Sequence, residues 1–298
     1  MTNLIDKTPR LLTEEIRVGP LGYGCWRLVS MSTADAHARI ESALASGMNL
    51  IDTADVYGLD WGGTAFGSAE VLLGQVLSEN PRLRDQMVLA SKGGIIPGVP
   101  YDSGHLETAC HASLKRLGVE RLDLYQVHRP DLLTHPEETA RVLLRLIDSG
   151  KVRAVGVSNY APSQTAALMA FLPGKVVSQQ PEYSALHLDP LFDGTFDQCM
   201  QHNQVAIAWS PLAGGKLAGA EDVPPALTQE LQGLADREGV DQAVISLAFA
   251  LAHPANPVAL VGSVNLERIE AAPRALQVKL DRSDVYRIIQ ASMGQSLP

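Results

Sequence analysis

Asn49-Leu50-Ile51-Asp52-Thr53-Ala54-Asp55-Val56-Tyr57-Gly58 is the stretch that decides how the chain is read. An apolar run ends in a carboxylate, a loop turns, and a phenol follows five residues after the carboxylate. If the run is a strand of a parallel barrel, Asp52 and Tyr57 stand at the rim where barrel enzymes carry their chemistry. Tyr57 is then a candidate proton donor, and Asp52 belongs to the group that tunes it.

The same rhythm extends outward from this stretch. A hairpin is expected over 10–18, ahead of the main fold. Strand patterns at 21–24, 48–52, 87–92, 122–127, 152–157, 176–180, 205–209 and 258–261 are each followed by a helical pattern. The first helix opens at Ser32 by N-cap chemistry and closes at Gly47. Further helices are expected at 69–77 and 106–117, from Pro136 to Gly150, and from Pro162. The last ones are expected at 191–201, 229–238, 242–251 and 266–272, with an amphipathic tail at 283–293. Short, weakly alternating apolar strands suit a parallel sheet covered on both sides, and right-handed crossovers let eight units close. The expectation is a (β/α)8 TIM barrel, with residues 1–298 as a single domain carrying an N-terminal hairpin and a C-terminal helix. A doubly wound sheet would show G-x-G-x-x-G after its first strand. Gly22-Tyr23-Gly24 is followed by Cys25, Trp26 and Arg27, without the third glycine.

Bulk composition narrows the function classes. With 46% hydrophobic and 19% charged residues the chain reads as an ordered soluble globule. The 24 basic residues against 33 acidic ones give a net charge of −9, which argues against nucleic acid or an anionic membrane as partner. Cys25, Cys110 and Cys199 lie far apart with no CxxC, so a reduced cytoplasmic setting is expected. The amino terminus carries neither a signal-peptide core nor an apolar run of ~20 residues.

Polar residues close successive strands: Asp52 with Tyr57 beyond it, Lys92, His128, Ser158-Asn159 and Gln179-Gln180. Singly, each has an ordinary structural explanation; it is their recurrence at corresponding strand ends that points to a site. A free phenol, with a pKa of about 10, is a weak acid at neutral pH unless a cation stabilises the phenolate. A lysine beside it does so, a carboxylate holds the ammonium, and an imidazole can hydrogen-bond the substrate oxygen. Such a set suits reduction of a carbonyl, the oxygen being protonated as hydride reaches carbon.

The runs Ile51-Asp52-Thr53-Ala54-Asp55-Val56-Tyr57-Gly58, Ala90-Ser91-Lys92, Leu122-Asp123-Leu124-Tyr125-Gln126-Val127-His128-Arg129-Pro130 and Val155-Gly156-Val157-Ser158-Asn159-Tyr160 together resemble the aldo-keto reductase family. The resemblance runs from about residue 21 to about residue 272. It implies a barrel that binds NADP(H) without a Rossmann domain and reduces aldehydes and ketones. By the resemblance Tyr57 is the general acid, Lys92 with Asp52 lowers its pKa, and His128 orients the carbonyl.

The family's cofactor residues map one by one. Ser158, Asn159 and Gln180 match the carboxamide-binding positions, although Gln179 replaces the usual asparagine. Trp209 stands where an aromatic ring stacks on the nicotinamide, and Gly24, Cys25 and Ser210 border that region. Leu212, Gly214 and Lys216 belong to a loop expected along the pyrophosphate, where small residues let backbone amides approach oxygens. Gly262 replaces a frequent lysine after the eighth strand, while Ser263 and Arg268 match the 2′-phosphate positions. NADP(H) is therefore expected over NAD(H), by a narrower margin than a lysine would give. The details Ala208-Trp209-Ser210 and Gly262-Ser263 resemble the bacterial YdhF-type branch.

A metal-dependent hydrolase on the same barrel would want several His and Asp ligands at strand ends. The eight histidines are scattered and only His128 ends a strand, so no metal is expected. A non-catalytic, nucleotide-binding regulatory barrel is the alternative, and all four catalytic residue types speak against it. Cys25, Trp26, Trp61 and Phe66 are the expected substrate-side residues, suggesting an apolar or aromatic carbonyl compound. The loop 58–67 is the candidate lip over the site. The expected partner is that small molecule alone, with the protein a monomer or small homo-oligomer.

Overall fold

The computed structural model describes residues 3–59, 63, 65–95, 103–219 and 222–296. It opens with a two-stranded antiparallel hairpin, β1 (Arg10–Leu11) and β2 (Arg17–Val18). Eight parallel strands then close into a barrel. They are β3 (Leu21–Gly24), β4 (Leu50–Asp52), β5 (Val88–Gly93), β6 (Leu122–Val127), β7 (Val152–Ser158), β8 (Val176–Gln180), β9 (Val205–Ala208) and β10 (Val258–Val261). Each strand pairs with its successor, and β10 pairs with β3 to complete the ring. The expected architecture and all eight strand positions are therefore observed.

Strand alternation places the polar residues. Successive side chains point to opposite faces, so residues two apart share a face. Asp52 pairs with Ala90, Lys92 two residues on pairs with Gln126, and His128 follows Gln126 by two. Asp52, Lys92, Gln126 and His128 therefore climb one inward face. Across β7 and β8, Ser158 pairs with Gln180.

Below this polar layer the barrel is filled by Leu50, Val88, Leu124, Val205, Ile207 and Leu260. Leu12, Ile16 and Val18 of the hairpin belong to the same buried cluster, so the hairpin plugs the amino-terminal mouth. With one mouth stoppered and branched aliphatics filling the middle, the carboxyl ends of the strands face an open cavity among the described residues.

Helices α1 (Thr33–Ala45), α2 (Ser68–Glu79), α3 (Ser103–Leu117), α4 (Pro136–Asp148) and α5 (Pro162–Met169) wrap one side. The ring continues with α6 (Thr195–His202), α7 (Pro225–Glu238), α8 (Gln242–Leu251), α9 (Leu266–Ala271) and α10 (Arg282–Met293). Ser32 caps α1 as expected, its hydroxyl accepting from Asp35 N. Two helical boundaries depart furthest from expectation. The segment at 191–201 breaks into a 3-10 turn, Asp189–Leu191, and α6, because Gly194 takes a left-handed conformation between them. Helix α7 begins at Pro225, four residues before the expected start, since proline is welcome in a first turn whose N–H has no helical acceptor. Helix α10 is tied to α7 by Arg287–Glu230 and by Arg237–Asp284. Among the described residues no helix is long and apolar enough to cross a membrane.

Candidate active site

At the carboxyl ends of the strands lies a cavity of about 780 Å³. Asp52, Tyr57 and His128 line one end, and Gly262, Ser263 and Arg268 line the other. Lys92 is fully buried just beneath.

Asp52 organises the closed end. Its Oδ2 accepts from Lys92 Nζ at 2.5 Å, and its Oδ1 accepts from Gln180 Nε2 at 3.0 Å and Gln126 Nε2 at 3.4 Å. Lys92 also donates to Thr53 O at 2.9 Å. Burial alone would drive the Lys92 ammonium toward neutrality; Asp52 and then Tyr57 more than offset it, and its pKa lies above the ordinary lysine value. The ammonium is therefore charged throughout the working range.

Tyr57 stands over that charge, with Lys92 Nζ 5.0 Å from its ring centroid. A turn fixes the residue: its N–H donates to Ala54 O, and its carbonyl accepts from Ala69 N at the start of α2. Gly58 makes the next step possible with φ +126°, since a Cβ there would lie 2.5 Å from Ala65 O. Burial raises the Tyr57 pKa above the ordinary phenol value; Lys92 pulls it down, and Asp52 pushes it up again. Lysine and aspartate therefore act on the phenol in opposite directions. Only the lysine acts in that direction, and the aspartate serves by holding the lysine.

His128 packs edge-on to Tyr57, ring centroids 5.8 Å apart. Burial first, then the charges of Lys92 and Arg129, hold its pKa well below the ordinary histidine value. The imidazole is neutral at physiological pH and so offers one N–H and one lone pair.

The strand ends at Ser158, Asn159 and Gln180 form a linked frame. Ser158 Oγ donates to Gln180 O at 2.9 Å, while Asn159 Nδ2 donates to His128 O at 3.0 Å and to Ser158 Oγ. Asn159 Oδ1 accepts from Trp209 Nε1 at 3.1 Å, which fixes the indole against the cavity. Gln179, where the resemblance leads one to expect asparagine, points away from the cavity and donates to Gln198.

The next loop is held open by backbone conformation. Asn159, Ser210 and Ala213 adopt left-handed φ near +50°, and Gly214 and Gly215 are likewise positive. Ser210, Leu212, Gly214 and Gly215 all line the cavity. At the far end Arg268 is exposed and Gly262 has nothing within 4 Å of where a Cβ would stand.

Some expected residues lie elsewhere. Cys25 is fully buried and does not line the cavity, although Gly24 and Trp26 on either side of it do. Lys216 is exposed beside the loop, outside the lining. Phe66 lies under Arg116, whose guanidinium is 5.7 Å from the ring, and also stays outside the lining. Trp61 lies outside the described residues, as does most of the tip of the 58–67 loop.

Other lining residues were not singled out in the sequence: Arg27, Arg129, Ile95, Asp241 and Gln242. Arg27 Nη2 donates to Gly214 O at 2.8 Å, linking the segment after β3 to the loop after β9. Arg129 follows His128 directly, so adjacency could have flagged it. Gln126 was legible as the residue two before His128 on the same strand face.

A long groove with a polar frame, a fixed indole and an open backbone loop fits an extended dinucleotide. Ser158, Asn159, Gln180 and Trp209 would hold the nicotinamide end, and Ser263 with Arg268 the phosphate end. Among the described residues no group of three or more His, Cys, Asp or Glu is placed to bind a metal.

The aldo/keto reductase family model matches residues 20–292. A 6-dehydroglucose reductase from Novosphingobium aromaticivorans is 44% identical over 288 residues, covering 95% of this chain and 94% of that protein. The oxidoreductase YdhF of Escherichia coli is 34% identical over 308 residues, covering 96% of this chain and all of the other. Among solved structures, the glycerol dehydrogenase AKR11B4 from Gluconobacter oxydans superposes with a TM-score of 0.83 at 25% identity, covering 98% of each chain.

Proposed function

The chain belongs to the aldo/keto reductase family, and from that premise we propose that it reduces an aldehyde group on a polyhydroxylated, carbohydrate-like substrate with NADPH. The observation that carries the reaction is the Tyr57–Lys92–Asp52 group beside a neutral His128 at one end of a cofactor-sized cavity. Two observations support a carbohydrate over the apolar substrate expected from aromatic residues. The 44% identical relative is named for 6-dehydroglucose, and Arg129 beside His128 gives the described rim a polar donor.

When bound, the nicotinamide supplies a hydride to the carbonyl carbon. The protein's own part is to place the carbonyl and deliver a proton to its oxygen. His128, neutral, donates a hydrogen bond that orients and polarises the oxygen. Tyr57 enters the reaction fully protonated, because burial holds its pKa high. As its proton leaves, negative charge grows on the phenol oxygen, and the Lys92 ammonium is already in place to stabilise it. Asp52 keeps that ammonium charged and in position, and Gln126 and Gln180 hold Asp52. Trp209 provides the flat surface against which the nicotinamide ring would lie.

Arg268 and Ser263 would grip a 2′-phosphate, favouring NADP(H), and we place the enzyme in the cytoplasm. The test is NADPH oxidation over a panel of aldehydes, ketones and sugar aldehydes, with Tyr57→Phe as the control. A general acid contributes roughly 10²–10⁴-fold, so the variant should lose activity by that factor while still binding NADPH. Full activity of Tyr57→Phe on the best substrate would remove Tyr57 from the chemistry. NADPH binding with no turnover across the panel would make the protein a nucleotide-binding regulator.

A further inference from the structure

Beneath the Tyr57 segment lies a second buried charge group that this reaction does not use. Asp55, two residues before Tyr57, is fully buried, and among the described residues no side chain donates to or pairs with its carboxyl oxygens. Its backbone N–H donates to Lys92 O at 3.0 Å, so it is fastened to the strand that carries the catalytic ammonium. Glu70 on α2 is equally buried but fully engaged: Ser91 Oγ donates to it at 2.5 Å and Arg116 Nε at 2.6 Å.

The buried charges can be counted in pairs. Lys92 is matched by Asp52, and Arg116 by Glu70. Among the described residues Asp55 is the buried carboxyl left over, with no cation paired to it. An ionised carboxylate taken out of water without a partner is strongly disfavoured, and such a group keeps its proton instead. Burial and then Glu70 push the Asp55 carboxyl up to about 8, against the opposing pull of Arg116, the Val56 backbone N–H and Lys92. The Cys110 thiol of α3, pushed up to about 12 by burial and then by Glu70, carries no charge in this range.

We propose that Asp55 is a positioning residue for proton delivery: an uncharged carboxyl that keeps the floor beneath Tyr57 and Lys92 free of a third negative charge. The proposal rests on the reading of Tyr57 as the proton donor. As the phenol loses its proton, a carboxylate at Asp55 would repel the growing charge and compete for the Lys92 field. The proton that leaves Asp55 at alkaline pH goes to solvent, and the group takes no covalent part.

The test is the pH profile of kcat at saturating NADPH and substrate for the wild type, Asp55→Asn and Glu70→Gln, with thermal unfolding midpoints at each pH. Wild-type kcat should fall as pH rises through about 8. Asp55→Asn, which cannot ionise, should keep kcat at pH 7 within about threefold and move the fall upward by about one pH unit or more. Glu70→Gln frees Arg116 to pair with Asp55 and should move the fall downward. In the melts, the Asp55 contribution to stability is whole below the ordinary carboxylate pKa near 4 and is lost as pH rises to about 8. The midpoint of Asp55→Asn relative to wild type should therefore climb between those values and then level off. Superposed kcat profiles of the wild type and Asp55→Asn, or a pH-independent midpoint difference with turnover intact, would overturn the role of Asp55 alone. Absence of carbonyl turnover by the wild type would overturn the functional reading, and with it the role of Asp55.

Discussion

Each end of the barrel holds a buried aspartate, and the two look alike in the sequence: Ile51-Asp52 and Leu122-Asp123 each set a carboxylate behind an aliphatic residue. Asp123 lies near the start of β6, where Leu89 N donates to it at 2.9 Å, Arg84 Nη1 at 2.8 Å and Arg153 Nη1 at 3.1 Å. Both arginines keep part of their guanidinium in solvent. Asp52 closes β4, where its cation is a lysine with 1% of its side chain exposed and its other partners are the amides of Gln126 and Gln180. The same residue type therefore ties strands and helices together at the plugged end and, at the open end, holds the buried lysine beneath Tyr57, the proposed proton donor. What separates them is depth along the strand and the nature of the cation. Arginine braces with several donors, whereas lysine offers a compact charge that acts on its neighbours.

The comparison breaks first at Lys92. Lys92→Met would strand Asp52 in the interior, so it should cost ~3–5 kcal/mol of stability and reduce kcat by at least about 10²-fold; denaturant unfolding and steady-state kinetics read both. If stability falls but kcat survives, the open-end aspartate is a brace like the other. Next is Asp123→Asn, which keeps the shape but loses charge-assisted bonds to two half-exposed arginines. About 1–2 kcal/mol should be lost, with kcat and KM unchanged. A kcat loss there would mean that the plugged end reaches the chemistry.

The smallest effect belongs to the phosphate end, where the groups are exposed and screened. Arg268→Ala should raise the KM for NADPH by roughly tenfold, the scale of one charged hydrogen bond, and leave the KM for NADH nearly unchanged. Gly262→Lys should do the reverse, since open space surrounds that position. Equal effects on both cofactors would take Arg268 away from the 2′-phosphate.

Much of this site was legible because barrel strands are short and their last residues face one mouth. Reading a polar residue at each apolar run's end located Asp52, Lys92, His128, Ser158 and Gln180 without any knowledge of side-chain contacts. Cys25 lies behind the lining because β3 ends at Gly24 and a 3-10 turn, Cys25–Arg27, buries its side chain while Gly24 and Trp26 on either side reach the cavity. Phe66 sits beside glycines in a loop whose path depends on Arg116, 50 positions along, and that partner leaves no mark near residue 66. The break before α6 depended on the left-handed conformation of Gly194, which composition permits but does not require.

Strand–helix alternation, the barrel and the set of groups at its mouth are legible from residue order alone, since periodicity and strand-end position are local properties. How those groups act on one another follows from their placement in the folded chain. The net rise in the Tyr57 pKa, the neutrality of His128 and the leftover carboxyl of Asp55 are sums over burial and over charges far apart in the chain. Gln180, which holds Asp52, lies 128 positions away from it. Coulomb interactions and desolvation depend on distance and depth in the folded protein, and neither is written in the order of residues.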